Sequence, residues 1–108
     1  MSAAITTHVL DTTRGRPAAG IPVTLEFESG GNWSTVGSGA TDIDGRVRDL
    51  MPGDAKLNTG KYRITFATAA YSKFYPSVEV SFVVEDPSQH YHIPLLLSPF
   101  GYSTYRGS

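Results

Sequence analysis

The stretch Ile21-Pro22-Val23-Thr24-Leu25-Glu26-Phe27-Glu28 decides the fold class, because every second side chain in it is apolar. Successive side chains of a β-strand point to opposite faces, so this alternation predicts a strand with one buried and one polar face. The same alternation recurs in three later segments, with apolar residues at Tyr62, Ile64 and Phe66, at Val78, Val80, Phe82 and Val84, and at Tyr91, Ile93, Leu95 and Leu97. The pattern predicts an all-β antiparallel sandwich of seven or eight short strands.

Turn-forming residues separate the predicted strands. Asp44-Gly45 suits a tight turn because both residues tolerate a positive φ, and further turns are predicted at residues 14–17, 29–32, 51–54, 58–60 and 86–87. One segment lacks the alternation: residues 68–74, which precede Pro76, predict a single short helix.

Length and composition indicate one domain over residues 1–108. The net charge of −1 gives no basic surface for nucleic acid, and no apolar run approaches the roughly 20 residues of a membrane helix. The chain has no cysteine, so disulfides and thiolate chemistry are excluded. Residues 1–4 lead into a predicted strand without a secretion-type segment, and we therefore expect a cytoplasmic protein without nucleic-acid or membrane partners.

Several apolar side chains fall on the outer faces of the predicted strands, namely Leu10, Leu96 and Tyr102. A small sandwich leaves such side chains and its edge strands exposed unless another chain covers them. The sequence therefore predicts a homo-oligomer.

Three histidines lie on polar strand faces: His8, opposite Thr7 and Val9, and the pair His90 and His92. Histidine is the side chain best suited to proton transfer near neutral pH, although a strand histidine is more often a solvent-facing or hydrogen-bonded residue. Together the three could also supply nitrogen ligands for zinc, an alternative that no carboxylate or cysteine spacing strengthens. No serine has the setting of a nucleophile, and no glycine-rich turn opens a helix for phosphate.

Arg46 follows the Asp44-Gly45 turn. It is either a solvated turn residue or a planar donor for a carbonyl or an anionic heterocycle. The end of the chain, Tyr105-Arg106-Gly107-Ser108, closes a strongly patterned segment that begins at His90, and we expect this terminus to be held in place.

Taken together, these segments resemble one family. The resemblance rests on Thr7-His8-Val9-Leu10-Asp11, Asp44-Gly45-Arg46, Tyr62-Arg63-Ile64-Thr65-Phe66 and residues 90–108, which include the terminal Tyr-Arg-Gly-Ser. The chain resembles the transthyretin-related family, and within it the 5-hydroxyisourate hydrolase branch of purine catabolism.

The resemblance implies a transthyretin (prealbumin)-like sandwich of two four-stranded sheets with one short helix. It implies a homotetramer, a dimer of dimers with active sites in clefts at the dimer–dimer interface, and hydrolysis of 5-hydroxyisourate to 2-oxo-4-hydroxy-4-carboxy-5-ureidoimidazoline without metal or organic cofactor. Carried over by motif, the catalytic residues are His8, Arg46 and His92, and the substrate-binding residues are Tyr105, Arg106, Gly107 and Ser108. His90 is assigned a structural role.

Two other functions fit the same fold. One is a transthyretin-like carrier of small molecules, for which tight hormone binding without hydrolysis would be the evidence. The histidines and Arg46 favour turnover over such a carrier. The other is a non-catalytic prealbumin-like structural module, against which the single domain, the absence of a secretion-type segment and the patterned terminus argue.

Overall fold

The computed structural model describes residues 4–51 and 55–107. Within these residues the chain is all-β, as the alternation predicts. Its strands are β1 (Ile5–Asp11), β2 (Arg16–Pro17), β3 (Pro22–Ser29), β4 (Asn32–Ala40), β5 (Arg46–Val47), β6 (Gly60–Ala67), β7 (Ser77–Val84), β8 (Tyr91–Ser98) and β9 (Gly101–Thr104).

The strands form two sheets. One is four-stranded, in the order β4-β3-β6-β7, as expected. The other, which we call the first sheet because it contains β1, has the order β2-β1-β8-β9. It gains a fifth strand because the two-residue β5 pairs with one part of β1 while β2 pairs with another. The expectation of antiparallel pairing throughout is wrong at one place: β1 and β8 run parallel, which is possible because no hairpin joins them.

The predicted helix at residues 68–74 is absent, and a short turn stands in its place. The Thr68 carbonyl accepts the backbone N–H groups of Tyr71 and Ser72, both at 2.9 Å. The turn does not continue because the Ser72 hydroxyl accepts the N–H of Tyr75 at 3.0 Å, and the Thr68 hydroxyl donates to the Tyr75 carbonyl. No helix capable of spanning a membrane occurs in the part of the chain that the structure describes.

The core lies between the two sheets and is filled by the apolar positions of the alternation. Leu25, Ile64, Phe66 and Leu95 are completely buried. The outer face of the sheet that contains β1 and β8 is half-buried, and it carries the histidines.

Candidate functional site

Three segments bring His8, Arg46 and His92 onto the outer face of the first sheet. In the register of the sheet, Arg46 of β5 lies opposite His8 of β1. His92 of β8 lies opposite Thr6, two residues before His8 on the same face of β1. The register therefore joins two histidines and an arginine that are far apart in sequence, as the resemblance implies.

The loop before β5 fixes the position of Arg46. One carboxylate oxygen of Asp42 accepts the backbone N–H groups of Asp44, at 2.9 Å, and of Arg46, at 3.0 Å. The bond from Arg46 is the main cause that holds the pKa of Asp42 below its usual value, and Arg48 adds to it. The Val9 N–H donates to the Gly45 carbonyl at 2.8 Å, so the loop is also attached to β1.

Gly45 is required at this loop for two reasons, and Gly45→Ala tests them. Its φ is +75°, and a Cβ atom there would lie 2.4 Å from the Val9 carbonyl oxygen. We expect the substitution to lower the free energy of unfolding by about 3 kcal/mol or more, from backbone strain together with overlap.

Gly30→Ala is the matched control for Gly45→Ala, measured by urea unfolding. Gly30 has a φ of +59°, but a Cβ atom there would meet nothing within 4 Å. It should cost only the roughly 1–2 kcal/mol of the left-handed conformation. Equal losses in the two variants would contradict a close approach at Gly45.

His92 is half-buried, and its surroundings favour the neutral ring. Its Nδ1 atom lies 2.8 Å from the Thr6 hydroxyl oxygen. Burial is the largest cause that lowers the pKa of His92 below the usual histidine value, and the charges of Arg46, His8 and His90 lower this pKa further. A hydrogen bond with the backbone of Thr6 acts in the opposite direction. A neutral imidazole beside a guanidinium can accept a proton from water that attacks a carbonyl.

The residue that sequence reasoning missed at this site is Thr6. Its hydroxyl oxygen also lies 2.9 Å from Nε2 of the exposed His90. The alternation of β1 could have indicated Thr6, because Thr6 lies on the same face of this strand as His8. Among residues 4–51 and 55–107, no group of three His, Cys, Asp or Glu side chains could hold a metal ion, so the zinc alternative receives no support.

The terminal segment is attached to His92 through Gly107. The Gly107 N–H donates to the His92 carbonyl at 2.8 Å in an antiparallel bridge, beyond the point where β9 ends. Pro94 lies in the intervening stretch of β8 and has no N–H to donate, which accounts for the interruption of the ladder. A Cβ atom on Gly107 would lie 2.6 Å from Cδ2 of the His92 ring. The backbone of Gly107 therefore borders the ring so closely that only hydrogen fits.

Gly107→Ala should displace the His92 ring and lower kcat/KM by about 10²-fold, the cost of an error of roughly 1 Å in the position of a reacting group. Gly101→Ala is the control on the same terminal segment, since its Cβ atom would make only an ordinary 3.5 Å contact with Ser98 Oγ. The measurement is a steady-state hydrolysis assay of Gly107→Ala and Gly101→Ala. An unchanged rate in a folded Gly107→Ala protein would contradict the contact.

Neither Tyr105 nor Arg106 is hydrogen-bonded to a histidine in the described part of the chain. The Arg106 guanidinium lies 4.6 Å from the centroid of the Tyr91 ring and donates to Gln89 Oε1 at 2.9 Å. Because successive side chains of β8 alternate between its faces, Tyr91 and His92 point to opposite sides of the sheet. Tyr105 and Arg106 line a cavity of about 140 Å³ together with Phe82 of β7. Ser108 lies outside the described residues.

The fold and the cluster define a class: a transthyretin-like β-sandwich with two histidines and an arginine on the outer face of one sheet. The chain belongs to the HIUase/Transthyretin family, whose model matches residues 5–107.

Similar proteins include 5-hydroxyisourate hydrolases and a transthyretin solved in complex with thyroxine. The chain is 51% identical over 119 aligned positions to the uric acid degradation bifunctional protein TTL of Arabidopsis thaliana, covering 96% of this chain but only 37% of that protein. It is 42% identical to the 5-hydroxyisourate hydrolase of Salmonella dublin, covering 96% of this chain and 80% of that enzyme. The crystal structure of sea bream transthyretin with thyroxine matches with a TM-score of 0.88 at 29% identity, covering 97% and 95% of the two chains.

Proposed function

We propose that the protein is a hydrolase that converts 5-hydroxyisourate to 2-oxo-4-hydroxy-4-carboxy-5-ureidoimidazoline in urate degradation. The observation that carries the proposal is the juxtaposition of His8, Arg46 and His92 on one face of the first sheet. The 42% identity to the Salmonella hydrolase, against 29% to sea bream transthyretin, supports the enzyme over the carrier.

His92 acts as the general base in this proposal. It takes a proton from water as the water oxygen bonds to the ring carbonyl carbon, and the pair of electrons of the carbonyl moves onto its oxygen. The Arg46 guanidinium stabilises that developing negative charge. The tetrahedral intermediate then collapses, the ring carbon–nitrogen bond breaks, and the proton held by His92 passes to the leaving nitrogen. His8, beside Arg46, orients the substrate.

The lowered pKa of His92 predicts how this residue titrates. In an NMR titration of the histidine ring resonances, His92 should change protonation below the ordinary value of about 6.5, so that it is neutral where an unperturbed histidine is half charged. Between the lowered pKa of His92 in the folded protein and the ordinary value of about 6.5, the unfolded chain binds more protons than the folded one. The free energy of unfolding should therefore fall as the pH falls from about 6.5 to the lowered pKa. A titration midpoint above 6.5 would contradict the claim that burial and the neighbouring positive charges lower the pKa of His92.

A small-molecule carrier is the second candidate function, because the chain is similar to a transthyretin solved with thyroxine. Multiple turnover separates a hydrolase from a carrier. A hydrolase consumes many molecules of 5-hydroxyisourate per chain, whereas a carrier takes up at most a stoichiometric amount. Calorimetric titration with thyroxine is the companion measurement. Tight thyroxine binding without catalysed decay of 5-hydroxyisourate would establish the carrier instead.

The proposed assembly is a homotetramer, a dimer of dimers. The edge strands β7 and β9 support it, since each has a strand neighbour on only one side among the described residues and they expose Val83 and Tyr102. The half-buried Leu10 and Leu96 on the outer face of the first sheet suggest a second contact. Analytical ultracentrifugation tests this assembly, and a monomer at micromolar concentration would contradict it.

The substrate-binding role of Tyr105, Arg106, Gly107 and Ser108 stays a prediction. Gly107 already borders His92, whereas Arg106 must leave Tyr91 or act at the cleft of a neighbouring chain. The cytoplasmic location also stays a prediction.

A further inference from the structure

We propose that Thr6 and His90 are positioning residues that hold His92 in the tautomer that can act as a base. The proposal rests on the hydrolase function above. It assigns His90 a role in the reaction beyond the structural one that we assigned to it from the sequence.

The geometry is a hydrogen-bonded chain of three side chains. The Thr6 hydroxyl oxygen lies 2.8 Å from Nδ1 of His92 and 2.9 Å from Nε2 of His90. The parallel register of β1 and β8 produces it, because Thr6 is directly opposite His92 and His90 lies two residues earlier in the chain. A threonine hydroxyl has one hydrogen, so it donates to one imidazole and must accept from the other if both bonds form.

Only one of the two possible directions leaves His92 able to accept a proton at Nε2. In the productive direction, His92 Nδ1–H donates to Thr6, and the Thr6 hydroxyl donates to Nε2 of His90. His92 Nε2 is then free, and after it takes a proton from water the Nδ1–H bond to Thr6 remains as it was. In the reverse direction, Thr6 donates to His92 Nδ1, and the ring proton of neutral His92 occupies Nε2.

The hydrogen-bonding state of His90 Nε2 selects the direction. An Nε2 atom without a hydrogen accepts from Thr6 and supports the productive direction, whereas an Nε2–H group can only donate there, which turns the chain to its unproductive direction.

The role of His90 is tested by removing its hydrogen-bond acceptor. His90→Leu, which cannot accept from Thr6, should lower kcat with little change in KM, and His90→Gln, whose amide oxygen can accept from Thr6, should restore most of the activity. Equal losses in the two variants would overturn the role of His90.

Thr6→Val tests the hydroxyl itself. We expect kcat to fall by about 10- to 100-fold with little change in KM, comparable to the loss when a partner that orients a metal-bound histidine is removed. Thr6→Ser, which keeps the hydroxyl, should restore most of the activity. A fall in KM and kcat together, or no rescue by Thr6→Ser, would overturn the positioning role.

The deciding measurement is the ¹⁵N NMR spectrum of His92 without substrate, which reports its tautomer independently of catalysis. The expected result is a ring protonated at Nδ1 in the parent at neutral pH and a mixture of tautomers in Thr6→Val. Protonation at Nε2 in the parent, or an unchanged spectrum in Thr6→Val, would overturn the inference. Absence of catalysed 5-hydroxyisourate decay in the parent would instead overturn the proposed function, so the two failures are distinguishable.

Discussion

Replacing His92 by asparagine is expected to lower kcat by about 10²–10⁴-fold, the usual contribution of a general base. The asparagine amide nitrogen can occupy roughly the place of Nδ1, which lies 2.8 Å from the Thr6 hydroxyl, so the local hydrogen bond can persist. The variant has no atom that replaces Nε2, and the attacking water therefore loses its proton acceptor. The loss should appear in kcat, because the base acts in the transition state.

The measurement for His92→Asn is the catalysed decay of 5-hydroxyisourate, followed by ultraviolet absorbance, with circular dichroism as the check of folding. Glu79→Gln is a suitable control, because Glu79 is an exposed residue of β7 in the other sheet. It should leave the rate unchanged. A folded His92→Asn protein with the activity of the parent would show that His92 is not the base and would direct attention to His8.

Arg46→Ala is the second substitution with a large expected effect. We expect kcat to fall by about 10²–10³-fold, corresponding to roughly 2.7–4 kcal/mol for one donor to a developing oxyanion. Arg46→Lys should recover only part of the activity, because an ammonium group keeps the charge but loses the planar pair of donors. Loss of the guanidinium should also raise the pKa of His92 towards its ordinary value, although burial remains.

Arg48→Ala is the matched control for Arg46→Ala, because it removes the same side chain two residues further along the chain. Arg48 is exposed and pairs with Asp42 at 3.2 Å and Asp44 at 3.3 Å. Exposed pairs of this kind contribute about 0–1 kcal/mol, so activity and stability should change little. Equal losses in the two variants would mean that loop stability, and not the position of Arg46, sets the rate.

The alternation in the sequence was sufficient to predict most of the fold. It identified the inner faces of β3, β6 and β8, whose side chains fill the core. It could not predict that β1 and β8 run parallel, because strand direction between distant segments is set by tertiary packing. The prediction of a short helix at residues 68–74 was wrong because the hydroxyl groups of Thr68 and Ser72 form hydrogen bonds with the backbone of Tyr75.

At the site, the family resemblance identified three side chains that the sheet brings together, whereas alternation alone gave only their strand faces. The role of Thr6 was not predicted, because its contacts with His90 and His92 depend on the register of β1 against β8. The contact of Arg106 with Tyr91 was also not predicted, because it depends on the course of the chain after β9.

The most direct test of the central claim is the decay rate of freshly generated 5-hydroxyisourate at several concentrations of the parent protein, against the spontaneous decay without it. The proposed hydrolase predicts a rate that rises in proportion to protein concentration, with many substrate molecules consumed per chain. A folded protein that leaves the decay at its spontaneous rate at every concentration would contradict the account.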